Sequence, residues 1–310
     1  MNRMVKFLRA VVISITMAFA GLLVIELGLF SLGIDAQSPS QSFQMEVAGE
    51  LLGEYDPVRF WRLKSVEPVY SEDSRRVMCL TDSVAVMYEG KGYPEILSKQ
   101  LQQSHPDQDI EIFNGGVPGY TSFQGFKYLF HELISYQPEL IILCYGWNDH
   151  WYSNNGLPDK AQRPQKAGLL SQLDFLRSVR LIHARVLAKQ QRGYQATSGS
   201  TLRVSLQDYR ANLEQIIKRC EIEGIHVVMM TAPYYQLETE LEQLHNEYND
   251  VVRELSTRYQ LPLVDLIHEF KDREDLFIEP DTDPVHYNWQ GSEIVARALL
   301  PKVVPLLVTE

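Results

Sequence analysis

Leu140-Ile141-Ile142-Leu143-Cys144-Tyr145 runs directly into Gly146-Trp147-Asn148-Asp149. A short, wholly apolar run that ends at a glycine reads as a strand buried on both faces. The polar island behind it falls where open α/β sheets hold their ligands, beyond the carboxyl ends of the strands. Working outward, the same arrangement recurs. Val77–Leu80 empties into Thr81-Asp82-Ser83, and Ile110–Phe113 empties into Asn114–Gly119. Two further apolar runs, His226–Thr231 and Leu261–Leu266, bring the strands to five. Helical patterns lie between and after them, at Tyr93–Ser104, Ser122–Tyr136 closed by Pro138, Leu206–Glu223, Leu237–Tyr259 and Gln290–Leu300. Strands that alternate with helices predict an α/β fold: a five-stranded parallel sheet between two helical layers.

The ends of the chain carry different signals. Residues 1–34 hold Arg3, Lys6 and Arg9, then a nearly unbroken apolar run from Ala10 to Ile34 with Glu26 its one charge. That run is long enough to cross a bilayer core of about 30 Å. Basic residues on its N-terminal side predict a cytoplasmic N-terminus and an extracytoplasmic remainder. A cleaved signal peptide is the alternative, although its apolar region is usually about 7–15 residues and Ile34-Asp35-Ala36 is a poor cleavage site. Glu26 reads either as an intramembrane contact or as a charge tolerated near the outer headgroups. Residues 35–72 read as a juxtamembrane linker and extended segment, and 73–310 as the main domain, interrupted at about 151–202. The interruption has a helical pattern near Leu169–Leu187 and is expected to be either a lid or a surface excursion.

Composition excludes some partners. The net charge is −11 with no basic block, which argues against nucleic acid. Three cysteines, Cys79, Cys144 and Cys220, do not describe a disulfide scaffold and read as buried thiols. No metal site stands out, since His131-Glu132 lacks the second histidine of a zinc-protease helix.

The islands supply the parts of an acyl-transfer site. Ser83 follows a strand and is a candidate nucleophile; by itself it reads better as a helix cap. His286 is the candidate base, with Asp283 three residues earlier to orient its ring through one tight turn. The glycines of Asn114–Gly119 let a backbone N–H approach a ligand. The Gly119 N–H, the Ser83 N–H and the Asn148 amide are the expected oxyanion donors.

In this order and spacing the islands resemble the SGNH hydrolase superfamily, also called GDSL lipases and esterases. The resemblance runs from about Val77 to Leu300. Thr81-Asp82-Ser83 is similar to the family's first block, Asn114–Gly119 to its second, Gly146–Asp149 to its third and Asp283–His286 to its fifth. The N-terminal helix and the segment Asp56-Pro57 to Leu63 resemble membrane-attached bacterial members. The resemblance implies a flavodoxin-like sheet, a Ser83–His286–Asp283 triad, an oxyanion hole of Ser83, Gly119 and Asn148, and ester or thioester hydrolysis without a cofactor. Thr81 stands where the family has glycine and adds a β-branched side chain beside the nucleophile turn, with a narrower pocket, a shifted Ser83 or weaker catalysis as the expected consequences.

Three functions follow as expectations: a serine esterase or acylhydrolase, an O-acyltransferase or deacetylase working on a cell-envelope glycan, and a membrane-anchored binding protein without activity. An acyl-ester small molecule, a lipid or a glycan is the expected substrate. Oligomeric state is open.

Overall fold

The computed structural model describes residues 2–35, 46–47, 50–51, 53–63, 71, 73–86, 92–153, 156–162, 173, 175–182, 185 and 201–308. They form two compact units. One comprises Ser65–Gln162 with Ala196–Glu310, and the other Met1–Lys64 with Arg163–Gln195.

The first unit is built on five strands: β1 (Arg75–Thr81), β2 (Ile110–Asn114), β3 (Leu140–Cys144), β4 (His226–Met230) and β5 (Leu263–Val264). Their order in the sheet is β2-β1-β3-β4-β5, with every pairing parallel. This is the flavodoxin-like order, whose switch point lies between β1 and β3. The apolar runs are strands because both faces are covered: Val77–Leu80 and Leu140–Ile142 are fully buried. Alternate residues serve alternate layers. Val77, Cys79, Leu140 and Ile142 pack with α1 (Tyr93–Ser104) and α5 (Trp289–Leu307). Helices α2 (Ser122–His131), α3 (Leu206–Glu223) and α4 (Thr239–Tyr259) complete the three layers.

Local chemistry sets the helix ends. The Ser205 hydroxyl accepts from the Asp208 N–H at 3.2 Å to start α3, and Gly224 stops it in the left-handed conformation at φ 71°. Several expected boundaries shift, three of them with a structural consequence. The helix expected over Ser122–Tyr136 ends at His131 and tightens into a 3₁₀ turn over Leu133–Tyr136. The last strand shrinks to Leu263–Val264. The last helix passes Leu300 and continues through Pro301 and Pro305 to Leu307, where burial of Val303 and Leu307 offsets the lost backbone bonds.

The expected interruption at about 151–202 is divided between the units. On the side of the sheet-bearing unit, Tyr152 bridges to Leu202, Asp159 N–H donates to Arg203 O at 2.7 Å, and Val204 N–H donates to Asp149 O at 2.9 Å. Cys79 and Cys144 lie on neighbouring strands, two residues out of register, and all three cysteines are buried free thiols.

The second unit holds a helix, Asn2–Ser31, long and apolar enough to cross a membrane. Two short hairpins follow, Glu46–Val47 with Glu50–Leu51 and Gly53–Asp56 with Phe60–Leu63. In the second hairpin the Asp56 carboxylate takes the Val58 and Arg59 N–H groups and the Arg59 guanidinium, which fixes the turn. Residues 177–182 are helical, inside the expected helix. The expected linker beyond Asp35 lies outside the described residues.

Candidate active site

Three chain segments far apart in sequence meet at the carboxyl ends of β1 and β3. Strand β1 ends at Thr81, and the chain turns at once into a 3₁₀ turn, Ser83–Ala85. The buried Asp82 side chain caps that turn by accepting from the Val84 N–H at 3.1 Å. The turn leaves Ser83 half-buried, with its side chain open to the site.

His286 Nε2 lies 2.7 Å from Ser83 Oγ, and His286 Nδ1 lies 2.7 Å from Asp283 Oδ2. A carboxylate only accepts, so Nδ1 carries the proton and Nε2 accepts from the serine hydroxyl. Asp283 and His286 occupy a short strand, Asp283–Tyr287, paired antiparallel with Phe277–Glu279. The second Asp283 oxygen takes the Val285 and His286 N–H groups at 3.2 and 3.1 Å, so the carboxylate is fixed before it meets the ring.

The segment after β2 follows the serine turn closely. Asn114 donates to Ala85 O at 2.9 Å and accepts from the Gly116 N–H at 3.0 Å. A side chain at Gly116 would press on Ala85 and the Asp82 carbonyl, both 2.9 Å from the position of a Cβ. Gly119 has φ 78°, a conformation open to glycine, and its N–H has no partner among the described residues.

Several side chains fix the segment from Gly119 to Ser122. Arg203 donates to Gly119 O at 2.9 Å and also reaches Gln124 and Asp159. Asn148 donates to Tyr120 O at 3.0 Å. Asp159 accepts from the Thr121 hydroxyl at 2.8 Å. Buried Asp149 takes both the N–H and the hydroxyl of Ser122 at the start of α2. Arg203 and Asp159 carry no signal in the amino-acid order, because an isolated charge beside a polar stretch looks like any surface residue.

Asn148 sits differently from expectation. Its amide donates to Tyr120 O and, at 3.3 Å, to Asp82 Oδ2, so both amide hydrogens are engaged within the protein. Burial raises the Asp82 carboxyl to about 6 despite the Val84 N–H and the nearby His286, and burial raises Asp149 to about 7.

Thr81 is fully buried at the end of β1, opposite Cys144, where a β-branched residue suits the strand. Its hydroxyl has no well-formed hydrogen bond.

A model of the GDSL-like lipase/acylhydrolase family matches residues 79–294. The chain belongs to that family. It is therefore an ester-bond hydrolase by family, built on the SGNH fold. Solved structures agree on the fold. A lipase/acylhydrolase from Enterococcus faecalis is 18% identical, covers 76% of this chain and 98% of its own, and superposes with a TM-score of 0.51. The acetylxylan esterase Axe2 from Geobacillus stearothermophilus is 18% identical over 76% of this chain and 95% of its own, with a TM-score of 0.52. The acetyl xylan esterase AlAXEase is 19% identical over 74% and 99%, with a TM-score of 0.51. No curated protein sequence matches the chain. Among the described residues no group of histidine, cysteine and carboxylate side chains is arranged to hold a metal ion.

Proposed function

We propose that this GDSL-family hydrolase removes short acyl groups from a cell-envelope glycan, using Ser83 as nucleophile, His286 as base and Asp283 to orient the base. The observation that carries this reading is the unbroken relay from Ser83 Oγ through the imidazole to Asp283, 2.7 Å at each step.

Ser83 Oγ attacks the acyl carbonyl as His286 Nε2 takes its proton. Asp283 stabilises the imidazolium, and the buried Asp82 carboxylate beside the site adds to that field when ionised. The developing oxyanion takes the Ser83 and Gly119 N–H groups. Asn148 joins them by exchanging its 3.3 Å bond to Asp82 for one to the oxyanion. His286 then protonates the leaving oxygen, and a water activated by the same nitrogen releases the acid. Two observations support a glycan ester: the acetylxylan esterases share the fold, and the N-terminal helix is long and apolar enough to keep the enzyme at a membrane. Arg3, Lys6 and Arg9 before that helix favour an extracytoplasmic active site.

The test is covalent labelling of the full chain in membranes with a fluorophosphonate, followed by product analysis on an acetylated glycan. Labelling that requires both Ser83 and His286, with free acetate released, supports hydrolysis. Acetate appearing on a second sugar identifies an acyltransferase. No labelling of a protein whose circular dichroism is native overturns the reading.

A further inference from the structure

Glu26, the Ile34 carbonyl and Asp35, at the outer end of the N-terminal helix, are met by one short piece of chain more than 140 residues away. Glu26 accepts from the Arg177 N–H at 2.8 Å and from the Ser178 N–H at 2.9 Å. Those are the N–H groups that the start of the 177–182 helix leaves without an internal partner. The Arg177 guanidinium lies over the Phe30 ring, 5.0 Å from its centre, and donates to Ile34 O at 3.3 Å. Arg180 grips Asp35 with two bonds of 2.8 Å, the forked geometry of a strong arginine–carboxylate pair.

The position of Glu26 gives these contacts their meaning. From Ala10 to Ile25 the helix rises about 24 Å, at about 1.5 Å per residue. With Arg9 reaching back to the inner headgroups, that is close to the hydrocarbon thickness. Glu26 therefore falls at the outer boundary of a membrane span. A carboxylate there is costly unless it is partnered, and its partners are backbone N–H groups supplied by 177–178. Apolar side chains continue past that boundary. Phe30 and Leu32 are 67% and 73% exposed, and Phe175 and Ile182 beside the clasp are 73% and 58% exposed. Large apolar side chains exposed beside an apolar span suit a lipid surface better than water.

We propose that residues 175–182 form an interfacial clasp: they lock onto the outer end of a retained membrane helix and rest Phe175 and Ile182 in the lipid surface. A removable signal peptide has no use for Glu26, Phe30 and Asp35 as docking partners. The proposal rests on reading the N-terminal helix as a membrane span and is independent of the serine mechanism.

The test uses the full chain in phosphatidylcholine–phosphatidylglycerol vesicles. Phe175→Cys is labelled with an environment-sensitive nitrobenzoxadiazole; the three native cysteines are buried and stay unlabelled. The expected result is an intact N-terminus by mass, blue-shifted emission, and quenching by a shallow lipid-borne nitroxide. Asp35→Arg weakens the quenching, and adding Arg180→Asp restores it. Water-like emission from a full-length, membrane-bound, natively folded protein overturns the clasp and leaves the anchor standing. Quenching that Asp35→Arg does not change overturns the role of the Asp35–Arg180 pair in the clasp. A mature chain that begins beyond residue 35 overturns both clasp and anchor.

Discussion

His286 and His245 belong to the same unit and have opposite surroundings. His286 is half-buried on a short strand, between a hydroxyl and a carboxylate, each 2.7 Å away. His245 is fully buried on α4, between the Ala232 carbonyl at 2.8 Å and the His150 ring at 2.9 Å, and it stacks on Trp147 with ring centres 3.9 Å apart. A carbonyl only accepts, so His245 Nε2 carries its proton and Nδ1 accepts from His150 Nε2–H. Burial pushes His150 down to about 4 and His245 to about 3, so both stay neutral. One ring is placed to move a proton. The other two are a neutral hydrogen-bonded wedge that steadies Trp147, the residue before Asn148. Partners and burial, more than residue type, separate a base from a brace.

The sharpest way to break the comparison is to delete a member of each group. Ser83→Ala and His286→Ala are expected to lower kcat by about 10⁶-fold and Asp283→Asn by about 10⁴-fold, read as steady-state hydrolysis of an acetyl ester. Retained turnover in a purified Ser83→Ala protein sinks the triad. Arg203→Gln comes next. Freeing the Gly119 carbonyl lets the Gly119–Ser122 segment, the proposed oxyanion loop, drift, and a shift of about 1 Å costs on the order of 100-fold in kcat, with KM little changed. A rise in KM with kcat unchanged would remove the positioning role.

His245→Leu should leave turnover per folded molecule close to that of the parent. It strands the His150 N–H and should cost about 1–3 kcal/mol of stability by urea unfolding. Lost activity with unchanged stability would reverse the comparison. The pH dependence has a definite sign. The folded His150 and His245 values lie below the unfolded value of 6.5, so the unfolded chain binds more protons between them. Their contribution is present above pH 6.5 and is lost as pH falls toward 4 and 3, so the gap between parent and His245→Leu should narrow. Asp149 has the opposite sign. Raised from 3.8 to about 7, its contribution is present below pH 3.8 and is lost as pH rises through 7. Asp149→Asn should therefore gain on the parent between pH 4 and pH 7, measured by the same unfolding series. The smallest effect is at Thr81. Replacing a buried hydroxyl that lacks a well-formed hydrogen bond by a methyl, Thr81→Val, should be neutral or stabilise by about 1 kcal/mol with activity kept. A large loss of activity would show that the hydroxyl serves the site.

The strands and the three islands were legible because each signal is local. A doubly buried strand must be apolar throughout, as at Leu140–Cys144, and the polar residues that follow it must lie at the sheet's mouth. Asp283 and His286 were legible for the same reason, being three residues apart. Their strand was not, because its pairing with Phe277–Glu279 is a tertiary event. Arg203, Asp159 and the His150–His245 pair were illegible: each acts on a partner 13 to 95 residues away, and no spacing records that. Asn148 was legible as a donor, but its present acceptors, Tyr120 O and Asp82, were not.

The amino-acid order alone determined the alternating α/β plan, the apolar N-terminal helix and the chemical types at the site, because backbone periodicity and burial act over a few residues. The tertiary structure decided which histidine meets the serine, which faces a carbonyl, and what holds the Gly119–Ser122 segment and Glu26. Those outcomes depend on distances between segments far apart in the chain, and only the packed layers fix them.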